Sequence, residues 1–149
     1  MMKFAKFVGA AALMSGMALS TAGAADRELV VGYWLTGDKA SVVEIKACSE
    51  GSRRLCGDVV WNKGGSAEAA ELITGMRASR SNLSKGHFWN NGKIVDQESG
   101  KKRDGSIEFL EDGTLKVASC KRKRCSNEIW ERPSSDMAEL PEHIRVASR

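Results

Sequence analysis

Short segments in which apolar and polar residues alternate with a period of two recur along the chain, and turn residues separate them. In segment 41–48, for example, Val43 and Ile45 fall on one face while Glu44 and Lys46 fall on the other. Such alternation is typical of strands with one buried face. Because strand-like segments follow one another at short intervals, the sequence predicts an all-β fold.

The pattern predicts about nine short strands, each adjacent to the next. The pattern of segment 66–78 is compatible with either a helix or a strand. We favour a helical or irregular lead-in followed by a strand from about Glu71. Asn90-Asn91-Gly92 predicts a hairpin turn, because Asn and Gly both tolerate a positive φ. An antiparallel meander of this kind closes into a small barrel, which removes its exposed edges.

The chain divides into three parts on these patterns. Residues 1–24 are predicted to be a signal peptide, and residues 25–132 are predicted to form the β-barrel domain. Pro133 breaks the last strand and Pro141 interrupts the one helical-looking turn that follows. Residues 133–149 are therefore predicted to be a flexible C-terminal tail.

The predicted signal peptide has the three usual regions. Lys3 and Lys6 supply a positive start, 8–19 is a short apolar stretch, and Ala22-Gly23-Ala24 offers small residues at a cleavage site. The alternative is a transmembrane anchor, but the stretch is shorter than the roughly 20 residues that a membrane span needs. The sequence therefore predicts a periplasmic protein with no transmembrane segment in its mature form.

The mature chain is only weakly basic. The formal net charge of +4 falls to +2 when Lys3 and Lys6 are removed with the signal peptide. A general nucleic-acid binder is usually far more basic, and export separates the chain from most nucleic acid. Nucleic acid is therefore excluded as a partner.

Four cysteines lie in the mature part, and an even count in a small exported chain predicts disulfides. Cys48 and Cys56 bracket one turn-like segment, and Cys120 and Cys125 bracket another. Each pair is predicted to link its own hairpin. The alternative is a zinc site made by all four, but the two spacings, of seven and four intervening residues, fit zinc ribbons poorly.

Several motifs in a fixed order resemble the DUF2147 family of small exported bacterial proteins. They span residues 29–132 and include Gly32-Tyr33-Trp34-Leu35-Thr36, Leu55-Cys56-Gly57-Asp58-Val59-Val60-Trp61, Trp89-Asn90-Asn91-Gly92-Lys93-Ile94-Val95-Asp96 and Ile129-Trp130-Glu131-Arg132. The resemblance implies a calycin-like β-barrel of undetermined role.

The chain also departs from that family's pattern. Val95 stands where an aromatic residue is common, Gln97 where Pro is common, and Arg103 near an expected Tyr. Ligand contacts that the family makes through this loop are therefore not carried over to this chain.

Catalytic residues are scarce in the mature sequence. A hydrolase needs a nucleophile, a base and a group that orients the base. His143 falls in the predicted tail, which leaves His87 on the domain, and no Gly-x-Ser-x-Gly motif is present. His87 with Asp96 or Glu98 could be proposed as a metal site, but a polar residue beside a hairpin is the preferred interpretation. The sequence predicts no enzyme, no cofactor and no metal.

Four tryptophans fall in four separate strand segments, namely Trp34, Trp61, Trp89 and Trp130. They either pack in the core or line a cavity for an apolar ligand, as residues at barrel mouths do. Trp89 is the first candidate for the cavity because it adjoins a loop. Trp34 is the second, because barrels of the type that this chain resembles place a Gly-x-Trp early to close the base.

Three basic loops remain, and they contain Arg53, Arg54, Lys101, Lys102, Arg103, Lys121, Arg122, Lys123 and Arg124. Charge runs are usually solvated loop tips. With nine strands, however, the three loops fall at one barrel end and form a cationic rim that faces anionic envelope material. If segment 71–78 were a helix outside the barrel, the first loop would move to the opposite end.

The sequence thus predicts a periplasmic, non-catalytic small barrel that binds a lipid-like or anionic envelope component. The alternative is an envelope-associated module for protein–protein interaction with no internal ligand, and a hydrolase is less favoured. A cavity of a few hundred cubic ångströms would favour the first function, and a filled interior would favour the second.

Processing gives the first test. The mature protein should begin at Ala25 or Asp26, because cleavage follows the small residues at 22–24. N-terminal sequencing and intact-mass measurement of protein from the periplasmic fraction check this expectation. A membrane-bound product that keeps Met1 would contradict it.

Overall fold

The structure is a computed structural model that describes residues 22–65, 69–79 and 87–147. Its elements, in chain order, are α1 Ala22–Val30, β1 Gly32–Leu35, β2 Ser41–Ala47, β3 Leu55–Asn62, β4 Ala70–Ala78, β5 Phe88–Val95, β6 Lys102–Phe109, β7 Leu115–Lys121, β8 Arg124–Trp130 and α2 Glu142–Ala147. Most of the predicted signal peptide lies outside the described residues. No helix within these ranges is long and apolar enough to span a membrane.

The eight described strands form one antiparallel sheet in which every strand pairs with its neighbours in the sequence, from β1 through to β8. Two hydrogen bonds join the ends of this meander, one from the Leu35 amide to the Glu131 carbonyl (2.7 Å) and one from the Glu131 amide to the Leu35 carbonyl (3.1 Å). They bring the first strand beside the last one. The predicted all-β meander that closes into a calycin-like barrel is confirmed.

The prediction of a hairpin turn at Asn90-Asn91-Gly92 is wrong, because these residues lie inside β5. The pairing between β5 and β6 shifts register between Trp89 and Gly92, and Asn91 has a φ of 56°. The positive φ that favours a turn is used here in a β-bulge. The sheet therefore has one strand fewer than predicted in this region, which changes the end of the barrel at which each loop lies.

The barrel interior is filled where two glycines face each other across β5 and β6. Gly92 pairs with Gly105, and Met76 and Ile94 pack over them. A Cβ on Gly92 would lie 2.6 Å from the Met76 sulfur, and a Cβ on Gly105 would lie 2.6 Å from Cγ1 of Ile94. The absence of two side chains thus provides the space that the fully buried Met76 occupies.

A second bulge turns Trp61 away from the interior. The sequence places Trp61 in phase with Val59, but Val43 pairs with Val59 while Val42 pairs with Trp61, so Val60 is an extra residue in β3. The extra residue moves Trp61 to the outer face of the sheet. Trp61 there belongs to a cluster of apolar residues that is separate from the main core.

The described part of the C-terminal segment, 133–147, is packed and differs from the predicted flexible tail. Leu140 and Ile144 are 2% and 0% exposed, and they cover the outer face of the first three strands. The outer cluster consists of Leu35, Val42, Leu140 and Ile144, with Tyr33, Val60, Trp61 and Met137 packed against it. Burial of this apolar surface, provided in part by the Val60 bulge, holds α2 on the barrel.

The α1 helix lies at one end of the barrel, hereafter the α1 end. The Trp34 indole N–H donates to the Val30 carbonyl at 2.7 Å. The Arg132 guanidinium lies 3.8 Å from the Trp34 ring centre and donates to the carbonyls of Leu29, Val31 and Tyr33. The last carbonyls of a helix lack hydrogen-bond partners within the helix. Trp34 on the first strand and Arg132 after the last strand supply such partners, and they hold α1 against both strands.

The structure joins Cys48 to Cys56 and Cys120 to Cys125, which is the predicted pairing. Cys120 and Cys125 face each other directly across β7 and β8, with a Cα–Cα distance of 4.0 Å. The first disulfide links the ends of β2 and β3 at the α1 end of the barrel. Each bond therefore ties together one hairpin of the meander.

Replacement of Gly105 by Ala tests the filled interior. The added methyl group would meet Ile94 and Met76, and overpacking of this kind costs about 1–3 kcal/mol. The free energy of unfolding, measured by urea titration, should fall by that amount. Ser106→Ala, on the next position of the same strand, is the control and should change it by less than about 0.5 kcal/mol. Equal stability of the Gly105→Ala variant would contradict this account of the core.

Candidate ligand cavity

A cavity of about 310 Å³ opens at the end of the barrel opposite α1, hereafter the cavity end. The loops 36–40, 96–101 and 122–123 lie at this end, since each follows an odd-numbered strand of the meander. The described residues that line it are Thr36, Asp38, Ser41, Leu72, Ile94, Val95, Asp96, Gln97, Glu98, Val117, Ser119, Ser126, Glu128 and Trp130. The cavity thus lies between the first hairpin, the β5–β6 loop and the last two strands.

Strand alternation explains why one part of the lining is apolar and another is polar. Inward positions on β8 are Ser126, Glu128 and Trp130, and those on β7 include Val117 and Ser119. The apolar positions lie deeper, and the serines lie nearer the loop. An amphipathic ligand would find apolar contacts at the inner end and hydroxyl groups towards the mouth.

Trp130 is held in one orientation within this lining. Its indole N–H donates to the Glu128 carboxylate at 2.9 Å, and the residue is only 2% exposed. The hydroxyl oxygens of Ser119 and Ser126 lie 3.1 Å apart and hydrogen-bond to each other. The two strands therefore present two separate hydrogen-bonded pairs of polar groups beside the apolar part of the lining.

Asp38 is stabilised as a carboxylate at the first hairpin. It accepts a hydrogen bond from the Thr36 hydroxyl at 2.6 Å and another from the Ala40 amide at 3.0 Å. These bonds, the Thr36 bond first, lower the pKa of Asp38 below its usual value. Asp38 is therefore ionised at neutral pH.

Asp96 organises the β5–β6 loop. It accepts hydrogen bonds from the amide and the hydroxyl of Ser99, both at 2.9 Å, and forms an ion pair with the Arg103 guanidinium at 2.7 Å. The Ser99 bonds and the Arg103 contact lower the pKa of Asp96 to about 2. The charge of Asp96 is thus neutralised by Arg103, which lies on the neighbouring strand.

The cavity is acidic as a whole. Its lining contains the four carboxylates Asp38, Asp96, Glu98 and Glu128, and none of the described lining residues is Lys or Arg. With Asp96 paired to Arg103, three negative charges remain at the lining. A concave site with charges of one sign favours ligands of the opposite sign or neutral ligands.

Of the four predicted cavity tryptophans, Trp130 lines the cavity and the other three do not. Trp89 and Trp34, the first and second candidates from the sequence, are 2% and 0% exposed and pack in the core. Trp61 packs on the outer face under α2. The sequence locates the aromatic residues on strands, but the bulges decide which way each one points.

The prediction that all three basic loops form a single cationic rim is wrong, because only two of them lie at the same end of the barrel. Arg53 and Arg54 follow β2 and lie at the α1 end, whereas Lys101–Arg103 and Lys121–Arg124 lie at the cavity end. Loops lie at the same end of the barrel when an even number of strands separates them. Because β5 is one strand and not two, an odd number of strands separates the Arg53–Arg54 loop from the other two loops. Within the second group, Arg103 is paired with Asp96 and Lys102 with Glu71.

Neither described histidine contributes to the cavity. His87 lies at the α1 end, where its Nδ1 is 3.2 Å from an Asp26 carboxylate oxygen and its ring contacts Phe109. It is therefore at the opposite end of the barrel from Asp96 and Glu98, and the metal group weighed from the sequence does not form. His143 lies on α2 against the Tyr33 ring.

The sequence contains a signal for the cavity that its analysis missed. Ser119 follows Val117, and Ser126, Glu128 and Trp130 alternate, so small polar residues replace apolar ones on the inward face near a turn. Where the residues on the inward face of a strand change from apolar to polar, a filled core gives way to a solvent-accessible cavity.

The sequence profile of a family described as "Uncharacterized protein conserved in bacteria (DUF2147)" matches residues 32–132. No curated protein sequence matches the chain. Among solved structures, the fold is similar to protein HP1028 from the human pathogen Helicobacter pylori, which is described as belonging to the lipocalin family. The TM-score is 0.57 at 14% sequence identity, and the match covers 70% of this chain and 82% of the other. This likeness shows a lipocalin-like fold.

The Asp96 cluster predicts a defined pH dependence. The pKa of Asp96 is about 2 in the folded protein against an ordinary value of 3.8, so its stabilising contribution is complete above 3.8 and is lost as the pH falls through about 2. The pKa of Asp96, measured by NMR titration, should rise in a Ser99→Ala variant, which lacks one of the two Ser99 donors. Ser134→Ala, in the C-terminal segment, is the control. An unchanged pKa in the Ser99 variant would contradict the assignment.

Proposed function

Because the chain belongs to the DUF2147 family and has a lipocalin-like fold, we propose that it is a non-catalytic periplasmic barrel that binds a small lipid-like molecule. The observation that carries this proposal is the cavity of about 310 Å³ at the cavity end. A filled barrel interior would instead have favoured a module that acts through its surface alone. Small-molecule sites in proteins usually measure about 300–1,000 Å³, so this cavity is at the lower end of that range.

The lining restricts the ligand. Leu72, Ile94, Val117 and Trp130 form the apolar base of the lining but are only 2–6% exposed, and Ser119 offers a hydroxyl to a polar head. A hydrocarbon or ring would therefore contact only the small exposed part of these apolar side chains. The remaining carboxylates disfavour an anionic head inside the cavity and favour a neutral or cationic one. The size suits a single short chain or ring system and leaves most of a two-chain lipid outside.

The arrangement of polar side chains supports a binding role over a hydrolytic one. Nucleophilic catalysis needs a base within hydrogen-bond reach of the nucleophile. The hydroxyls of Ser119 and Ser126 bond to each other, and both described histidines lie away from the cavity. The four cysteines are in disulfides, so none is available as a thiol nucleophile.

Export is supported by the cysteines together with the predicted signal peptide. Disulfides persist in oxidising compartments such as the bacterial periplasm and are rare in the cytosol. Both bonds here link residues that are close in the sequence, with separations of 8 and 5. They form without long-range rearrangement once a hairpin has folded.

A fluorescent neutral probe tests the cavity. N-phenyl-1-naphthylamine should bind the purified mature protein with a saturable rise in fluorescence at one probe per chain. Ser126→Phe places a large ring in the lining and should weaken probe binding by about tenfold or more, because a ring of this size fills much of a site near the low end of the range for ligand cavities.

The neighbouring position offers a matched control. Asn127 lies on the outer face of the same strand and is exposed, so Asn127→Phe adds the same group away from the cavity. Probe binding should be unchanged in this variant, and circular dichroism should show that both variants fold. If both variants bind equally, or if the wild-type protein binds no probe, the cavity is not the ligand site.

A second candidate function has support from β8. All six residues from Arg124 to Ile129 are exposed. The first hairpin covers this edge of the sheet near Ile129 and at the Leu35–Glu131 bridge, which leaves the part nearer Arg124 open. Exposed edges can pair with a strand from another protein. Absence of probe binding would favour this interaction module.

A further inference from the structure

We propose that the β7–β8 turn docks the protein on an anionic phospholipid surface, with the cavity mouth facing that surface. The basic tip is defined as Lys121, Arg122, Lys123 and Arg124. Docking itself does not require a cavity ligand. Its use in passing a lipid-like molecule between the membrane and the cavity rests on the proposed function.

The basic tip is a run of four consecutive cations without a carboxylate partner, whereas six of the other fourteen Lys and Arg residues in the described part of the chain are in ion pairs. Elsewhere in the described residues, ion pairs join Lys39 to Glu131, Lys46 to Glu44 and Asp58, Lys93 to Asp104, Lys102 to Glu71, Arg103 to Asp96, and Lys116 to Glu108. No described carboxylate lies within ion-pair distance of the four residues of the tip, and all four are exposed. Their charges are therefore available to an external anion.

The tip is a tight and cross-linked structure. Lys121 pairs with Arg124 across the end of the hairpin, so the turn itself consists of Arg122 and Lys123 alone. The next pair inward is the Cys120–Cys125 disulfide. A hairpin fixed in this way keeps four positive charges together, and it loses little conformational entropy when it meets a surface.

The tip lies beside the cavity mouth. Ser119 and Ser126 line the cavity, and strand alternation places the next inward positions, Lys121 and Arg124, at its rim. Cys120 and Cys125 therefore fall on the outer face. A surface that binds Lys121 and Arg124 is brought directly over the opening.

The opposite end of the barrel supplies an internal comparison. Arg53 and Arg54 are exposed in the loop at the α1 end. Strands of seven or eight residues separate the two ends by about 25 Å at roughly 3.3 Å per residue. The tilt of barrel strands, usually about 35–45°, shortens the distance along the barrel axis to about 19 Å, which still exceeds the Debye length of about 10 Å at 0.1 M salt. A membrane at one end therefore acts weakly on charges at the other.

The carboxylates of the cavity lining repel an anionic membrane, so they oppose docking at this end of the barrel. Asp38, Glu98 and Glu128 lie at the same end as the tip, whereas Asp96 is neutralised by Arg103. The tip must therefore make the first contact with the membrane. Neutralising a few of its charges should have a larger effect than the net charge of the protein would suggest.

Vesicle binding by the full mature protein tests the proposal. Vesicles of phosphatidylglycerol and phosphatidylcholine should bind the wild type at low salt, and vesicles of phosphatidylcholine alone should not. Lys123→Gln/Arg124→Gln should weaken binding by about tenfold or more, since each cation near an anionic membrane contributes appreciably. Arg53→Gln/Arg54→Gln removes the same charge at the α1 end and should change binding by less than about twofold.

Orientation is measured separately by hydrogen exchange on the vesicle-bound protein. Amides in the loops 96–101 and 122–123 should be protected, and those in the 48–54 loop should not. Three results would overturn the proposal, namely no binding to anionic vesicles at low salt, equal weakening by the two double variants, or protection at the α1 end. The neutral probe still reports the cavity in each case, so failure of docking is distinguishable from failure of the proposed function.

Discussion

Two hydrogen bonds between Leu35 and Glu131 bring the first strand of the sheet beside the last one, and the site depends on this contact. Thr36 and Asp38 reach the cavity from one side of the junction, and Ser126 and Glu128 reach it from the other. In an open sheet these residues would lie at opposite edges. Arg132 reinforces the junction, because its guanidinium covers the Trp34 ring and binds carbonyl groups at the end of α1. Closure therefore creates both the core and the cavity.

The two ends of the closed barrel differ in what their inward positions carry. Over most of the barrel's length, large apolar side chains fill the interior, and Met76 occupies the space left by Gly92 and Gly105. Towards the cavity end, serines and carboxylates take the inward positions, and ionised carboxylates are costly to bury unless water, a ligand or a protein group contacts them. A cavity at one end of an otherwise filled barrel follows from this change in side-chain type.

Charge is also divided between the inside and the outside of the cavity end. The lining is acidic, whereas the basic tip on the adjacent hairpin has no ion-pair partner among the described residues. Binding of a neutral or cationic head and binding of an anionic membrane need charges of opposite sign, and the two surfaces provide them separately. A neutral or cationic head is favoured in the cavity, and an anionic membrane is favoured at the tip. The near-neutral total charge conceals this arrangement.

The sequence by itself determined the fold class, the local disulfide pairs and the strand character of most segments. These features depend on interactions between near neighbours, namely period-two burial, short turns and cysteines within one hairpin. The order of motifs also identified the family. Of the residues that the sequence proposes for a site, the structure places Trp130 in the lining of the cavity and two of the three basic loops at the cavity end, and their roles stay predictions.

Tertiary structure alone decided the directions of the other side chains and the barrel ends of the loops. Asn90-Asn91-Gly92 has the local chemistry of a turn, yet it forms a bulge because Gly92 must pass close to Met76 on the neighbouring strand. Val60 is likewise an extra residue that turns Trp61 outward, where residues far along the chain cover it. The physical reason is the same in both cases. A bulge is stabilised by contacts between distant segments, and a single extra residue reverses every inward and outward position that follows it.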